Sequence, residues 1–337
     1  MSQTVNVAIL GATGLVGEAM VERLAERDFP LGELFLLASE RSAGEAVKYK
    51  NKRIIVQDVA EFDWSQVQIA LFSAGSDVSQ YWAPIAADHG VVVIDNTSAF
   101  RQEPDVPLVV PEVNPEAIAD FRNRNIIANP NCSTIQMLVA LKPIYDAVGI
   151  ARINVATYQS VSGSGKKGVD ELAGQTARLL NGMPAENNVY SKQIAFNCLP
   201  QIDDMLDNGY TREEMKMVLE TQKIFADDSI AVNPTCVRVP VFYGHAEALH
   251  IETMQPISAE EARLLLERAA GVEVFDEMDF PTQVENALGS DAVMVSRIRQ
   301  DISHPCGLNM WVVADNVRKG AATNAVQIAE LLVSDYL

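Results

Sequence analysis

Apolar positions along this chain follow two rhythms. In the first part they come as short continuous runs at residues 5–10, 34–37, 67–72, 91–95 and 126–128. Runs of this kind suit strands buried on both faces of a parallel sheet. Between the first two, residues 18–27 carry Met20, Val21 and Leu24 at helical spacing, and Pro30 marks the stop. Another apolar helix is expected over residues 135–141. After Pro143 the pattern changes. Residues 153–159 alternate and are rich in β-branched and aromatic side chains, as a half-buried strand requires. Residues 168–180 read as a helix ended by Asn181-Gly182-Met183-Pro184. Thr211 opens another, and its capping-box spacing to Glu214 makes that carboxylate structural. Residues 235–243 read as extended, with Val237, Val239 and Val241 facing one way and Arg238 the other. His245, after Gly244, is expected to leave that strand facing a cleft. A strand-like run at 308–316 leads to an amphipathic helix over 321–337, whose apolar face needs a sheet to cover.

Several turns between these elements carry candidate chemistry. Gly11-Ala12-Thr13-Gly14-Leu15-Val16-Gly17 joins the first strand to the first helix, the context in which a dinucleotide pyrophosphate rests on backbone N–H groups at a helix N-terminus. The spacing is GxxGxxG rather than GxGxxG. At the end of the second strand, Ser39, Arg41 and Ser42 suit a ribose 2′-phosphate and predict NADP; Glu40, if it faced the ribose instead, would favour NAD. Ser73 lies in a small-residue turn after the next strand. Ser98 and Arg101 follow the one after, where ligands gather at the carboxyl ends of parallel strands; without that position Arg101 would read as a surface ion-pair residue. The segment 160–168, with Ser162 and Gly163, suits packing against a nicotinamide or phosphate, or is an ordinary flexible loop.

Asn129-Pro130-Asn131-Cys132-Ser133-Thr134 stands between a short strand and an apolar helix. Most free cysteines are small buried apolar residues. Here the positive end of a helix favours the thiolate, which is the nucleophile. Glu213 and Lys216 share a helix face, as an exposed ion pair or as a matched acid and base for a substrate bearing ammonium and phosphate. Among the four histidines, His245 is best placed as a proton shuttle.

Composition narrows the partners. The 337 residues suggest about two domains. A formal charge of −19, from 45 acidic and 26 basic side chains, argues against nucleic acid and anionic membrane. An anionic substrate would then need local cations against the overall field. No apolar run reaches membrane-spanning length, and Met1-Ser2-Gln3-Thr4 leaves no room for a signal peptide before the first strand. Four dispersed cysteines without a CxxC pair argue against zinc or a disulfide framework and for a reducing, cytoplasmic compartment.

Taken together, GATGLVG at the N-terminus, SAFR ending at Arg101, NPNCST around Cys132, ATYQSVSGSGKKG from Ala156, EEMK from Glu213, RVPVFYGH from Arg238 and the Asp315-Asn316 region resemble bacterial aspartate-β-semialdehyde dehydrogenases over essentially the whole length. The resemblance implies an α/β fold: a Rossmann-type NADP-binding domain over 1–130, completed by the C-terminal helix (316–337), and an α+β catalytic and dimerisation domain over 131–315. It implies NADPH-dependent conversion of L-aspartyl-4-phosphate to L-aspartate-4-semialdehyde and phosphate by a homodimer, on the way to lysine, methionine and threonine. By similarity Cys132 forms the thioester, Gln159 orients it and His245 is the acid/base. Arg238 holds the substrate carboxylate, Glu213 its ammonium, and Arg101, Lys216 and Asn131 the phosphoryl group. The cofactor would meet Gly11, Thr13, Gly14, Leu15, Val16, Ser39, Arg41, Ser42, Ser73, Ser98, Ser162, Gly163 and Asn316. The nearest rival, N-acetyl-γ-glutamyl-phosphate reductase, shares the thioester logic but has no ammonium for Glu213 to meet. A non-catalytic relative is disfavoured by the joint presence of Cys132, Gln159, Arg238 and His245.

Overall fold

The computed structural model describes residues 4–276 and 278–337. Met1–Gln3, on which the expectation about a signal peptide rests, lie outside the described residues. The chain divides into two compact units, Met1–Pro130 with Ala321–Leu337, and Asn131–Gly320.

The first unit contains β1 (Val5–Leu10), α1 (Leu15–Glu26), β2 (Leu31–Ala38), β3 (Ala46–Tyr49), β4 (Lys52–Ile55), β5 (Gln57–Asp58), β6 (Ile69–Phe72), α2 (Ser76–Asp88), β7 (Val92–Asp95) and β8 (Ile126–Ala128). Six of these strands form a parallel sheet in the order β5-β2-β1-β6-β7-β8. The strand order reverses between β1 and β6, the doubly wound pattern that leaves a crevice at the strands' carboxyl ends. The continuous apolar runs of β6, β7 and β8 are buried throughout. The β3–β4 hairpin has no counterpart in the hydrophobic pattern, because its residues are exposed or half-buried.

The second unit contains α3 (Cys132–Val148), β9 (Ile150–Gln159), α4 (Lys166–Leu180), α5 (Arg212–Phe225), β10 (Ala231–Arg238), β11 (His245–Thr253), α6 (Ala259–Glu267), β12 (Val272–Val274), β13 (Val293–Gln300) and β14 (Gly307–Ala314). Its sheet is mixed, in the order β10-β9-β11-β14-β13-β12. The alternation expected on β9 is present: Ile153, Val155, Thr157 and Gln159 are buried while Tyr158 is exposed. α3, buried along most of its length, packs against this sheet.

The chain then returns to the first unit through a π-helical turn, Arg318–Ala322, and α7 (Thr323–Asp335). α7 packs on α1 and β7. Arg27 clasps Glu330 with two hydrogen bonds of 2.8 and 2.7 Å, and Phe121 meets Tyr336 edge-on.

Three expectations need correction. α3 continues through Pro143 to Val148, because a buried helix loses less by one missing hydrogen bond than by stopping short of its packing surface. The extended run from 235 ends at Arg238, and the chain turns before β11. His245 therefore opens a strand rather than leaving one, since Gly244, at φ +84°, makes the corner.

Candidate active site

In the second unit the sheet register assembles the site. β10 runs parallel to β9 and pairs Arg238 with Gln159; β11 runs antiparallel and pairs Gln159 with His245. The last residues of two strands and the first of a third thus stand in one row, all buried. Segments of sequence far from one another meet because a strand's end and its antiparallel neighbour's start share one level.

Cys132 is the first residue of α3. Asn131 is the N-cap: its Oδ1 accepts from the N–H groups of Ser133 (3.0 Å) and Thr134 (3.4 Å), which fixes the helix start directly beside the sulfur. The Asn131 N–H donates to Glu220 at 2.7 Å and its Nδ2 to Glu213 at 2.9 Å. By resemblance Asn131 is expected only at the phosphoryl group; an Asn ahead of an apolar helix is also a capping signal.

Glu213 is a buried hub rather than an exposed ion-pair residue. Its Oε1 accepts from Asn131 and, at 3.1 Å, from Gln159 Nε2; its Oε2 accepts from Lys216 Nζ at 2.9 Å. Burial alone would raise its pKa. The adjacent Lys216 ammonium and the three donated hydrogen bonds outweigh it and hold the carboxyl at about 2. Lys216 also reaches Asp203 at 3.0 Å. Burial works against its charge, and the two carboxylates more than compensate, raising its pKa. Glu214 completes the capping box with Thr211, as expected.

The His245 ring is wholly buried. Burial, with the Arg238 guanidinium nearby, pushes its pKa down to about 3, so it is neutral around pH 7. Its Nδ1 accepts the Ser160 backbone N–H at 3.1 Å. A main-chain amide can only donate, so the ring hydrogen sits on Nε2. Nε2 has no hydrogen-bond partner among the described residues. Arg238 Nη1 donates to the Ser160 carbonyl at 2.8 Å. The segment Val161–Ser164 lies over both side chains: a Cβ on Gly163 would come 2.8 Å from Arg238 Nη1 and 3.4 Å from His245 Nε2. A side chain there would make the Arg238 guanidinium shift. Asn316 Oδ1 ties this layer together, accepting from Ser160 Oγ (3.2 Å), Ser162 Oγ (3.1 Å) and Gly244 N (2.9 Å). These bonds take up its carbonyl end.

Of the other free cysteines, Cys306 is half-buried like Cys132. Cys236 is buried and burial pushes its thiol up, which keeps it protonated; Cys198 is exposed. Among the described residues no group of three or more His, Cys, Asp and Glu side chains could hold a metal ion.

The first unit carries the remaining candidates at the carboxyl ends of its strands. Gly11 turns at φ +89°, and a Cβ there would come 2.9 Å from the Ala74 backbone nitrogen. Gly14 starts α1 without a side-chain cap. Thr13, Leu15 and Val16 complete a cradle of main chain at a helix N-terminus that fits a dinucleotide pyrophosphate. Ser39 begins a turn that also holds Arg41 and Ser42, in which Ser39, Glu40 and Arg41 are all exposed. Ser73 N–H donates to the Leu10 carbonyl (2.9 Å), and Ser98 Oγ meets Ser76 Oγ at 3.1 Å. Arg101 is held by the Asn129 carbonyl (2.9 Å) and the Asn96 carbonyl (3.0 Å). Asp95 accepts from Ser79 Oγ and from Thr97 N and Oγ1; it went unnoticed in the sequence because it ends an apolar run. No helix among the described residues is long and apolar enough to cross a membrane.

Comparison with known proteins gives the same division. The family description "Semialdehyde dehydrogenase, NAD binding domain" matches residues 6–121, and "Semialdehyde dehydrogenase, dimerisation domain" matches residues 141–319. The first unit is therefore a nicotinamide-dinucleotide-binding domain. The second carries a dimerisation domain, and the partner of this chain is a second copy of itself. Aspartate-semialdehyde dehydrogenase 2 of Vibrio cholerae is 73% identical over 336 residues, covering all of both chains. The aspartate-semialdehyde dehydrogenase of Shewanella violacea is 66% identical over 337 residues, again covering both in full. A crystal structure of aspartate semialdehyde dehydrogenase II from Vibrio cholerae complexed with ASA superposes with a TM-score of 0.99 at 73% identity, covering all of both chains. From the row of strand-end residues to the full-length kinship, the chain belongs to the aspartate-semialdehyde dehydrogenase family.

Proposed function

We propose that this chain converts L-aspartyl-4-phosphate to L-aspartate-4-semialdehyde and phosphate, using NADPH, through a thioester on Cys132, in the cytoplasm, as a step towards lysine, methionine and threonine. The observation that carries the reading is the row Arg238–Gln159–His245, joined through Glu213 to Asn131, the N-cap that immediately precedes Cys132.

Cys132 attacks the acyl phosphate as a thiolate; the carbon–sulfur bond forms and the carbon–oxygen bond to phosphate breaks. Arg101, Lys216 and Asn131 receive the leaving phosphate, whose charge needs cations in a chain of net charge −19. Arg238 holds the substrate carboxylate. Glu213, kept ionised, favours a substrate with a free ammonium over an acetylated one. Gln159, bonded to Glu213, orients the acyl group. Gly11–Val16, Ser73 and Ser98, with Ser162 and Gly163, would bind NADPH, which would supply the hydride. His245 Nε2–H donates a hydrogen bond to the oxyanion that develops on the thioester carbonyl; as that oxyanion collapses the carbon–sulfur bond breaks, the thiolate departs and the aldehyde forms, with the ring proton kept on Nε2. This tautomer suits donation directly. Accepting the thiol proton would need a bare Nε2, the opposite ring tautomer. Ser39, Arg41 and Ser42 take the ribose 2′-phosphate.

The test is phosphate-dependent reduction of NADP with aspartate semialdehyde. C132S abolishes it, and so does thiol alkylation in a C198S/C306S background; turnover that survives both sinks the thioester. R41A raises the NADP KM about tenfold, equivalent to about 1.4 kcal/mol of lost binding, and a wild-type preference for NAD removes the cofactor assignment.

A further inference from the structure

Glu247 is wholly buried in the middle of the second unit's sheet and has no part in the chemistry above. On β11 it lies two residues after His245 and so shares its face. Its strand neighbours are Thr157 on β9 and Val312 on β14, neither of them charged. α3 packs against β11, β9 and β14. The polar group that α3 turns to Glu247 is Gln136, also wholly buried. Gln136 follows Cys132 by four residues, one turn along the same helical face.

Among the described residues, neither Glu247 oxygen and neither Gln136 amide atom completes a well-formed hydrogen bond. Two unpaired buried polar groups facing one another call for an explanation. A carboxylate could accept from Gln136 Nε2–H, which favours the charge, but it would leave Gln136 Oε1 without a donor and the buried charge without a cation, and burial is the larger effect. The titratable or charged groups on this face of the sheet include the buried Cys236 thiol in the same row and, one row away, the neutral His245 ring and the Arg238 guanidinium, whose Nη1 is taken up by the Ser160 carbonyl. A carboxylic acid solves the problem with a small side-chain rotation. Its O–H donates to Gln136 Oε1, and Gln136 Nε2–H donates to its carbonyl.

We propose that Glu247 is a neutral carboxylic acid paired with Gln136, and that this pair positions the Cys132 helix over His245. Burial without a charged partner, which raises the acid's pKa well above the ordinary range, agrees with this. Glu247 is a positioning residue: it touches the helix that presents the nucleophile, not the substrate. The inference rests on the reading of Cys132 and His245 as nucleophile and acid/base.

Infrared difference spectroscopy of the dimeric enzyme at neutral pH, wild type minus E247Q, tests the acid itself. A protonated-carboxyl C=O band that vanishes in E247Q is expected; carboxylate bands in its place overturn the proposal. Turnover tests the positioning. E247M is expected to lower kcat about tenfold or more with little change in the KM for aspartate semialdehyde, and E247Q to recover most of that loss. Wild-type kcat in E247M overturns the positioning role. If E247M does not fold, the infrared band decides. Because that band involves no turnover, its absence counts against the pair, whereas activity surviving in C132S counts against the thioester.

Discussion

Burial decides what each charged side chain at this site can do. Glu213 is kept anionic by donors on every side, whereas His245 is kept neutral by desolvation and a neighbouring guanidinium. The histidine has a consequence for folding. Its pKa falls from 6.5 unfolded to about 3 folded, so the unfolded chain binds the extra proton between those values. Stability from this group is present above about pH 6.5 and is lost as pH falls towards 3, with a slope of at most about 1.4 kcal/mol per pH unit. Urea denaturation at stepped pH should show that slope in the wild type and a shallower one in H245N; identical slopes would contradict the burial argument. The sequence singled out His245 from the three other histidines but placed it at the end of a strand instead of its start. Nothing in the local pattern shows that a neighbouring strand's amide fixes the ring hydrogen, because the partner lies 85 residues away.

Elements put these residues in place through their ends. α3 begins at Cys132 because Asn131 caps it, α5 begins at Arg212 because Thr211 and Glu214 form a capping box, and α6 repeats the device at Ser258 and Glu261. Removing a cap costs about 1 kcal/mol. N131A should therefore lose more stability than S258A in thermal unfolding, because it also gives up the buried bond to Glu213. N131A should also lower kcat by at least about tenfold, since it loosens the turn bearing the sulfur, while S258A keeps its activity. Equal activities would show that the cap has no bearing on the reaction. Strong local signals were legible at this scale: the buried runs of β1, β6, β7 and β8, the alternation of β9 and the α5 box. The β3–β4 hairpin, the turn after Arg238 and the continuation of α3 past Pro143 were not. Each is decided by contacts distant in sequence, which a single chain without structure does not display.

At the scale of the molecule, the first unit is built from both ends of the chain. β1 to β8 precede the 190-residue second unit (131–320), and α7 follows it. Within the first unit the returning segment is well anchored, through Arg27–Glu330, Gln327–Glu112 (2.9 Å) and the buried Asn324, which donates to Val109 (3.0 Å) and Asn129 (2.7 Å). Deleting residues 321–337 should leave the second unit's sheet intact while the first loses its cooperative unfolding. Limited proteolysis would then cut within 1–130 and spare 131–320; equal resistance would mean that α7 is dispensable. There is a further consequence for how the chain matures in the cell. The earliest strands to leave the ribosome wait for the last helix before their sheet is covered, so apolar surface made first is sheltered last. The interval of greatest exposure to chaperones and aggregation falls during synthesis of the segment that bears the nucleophile.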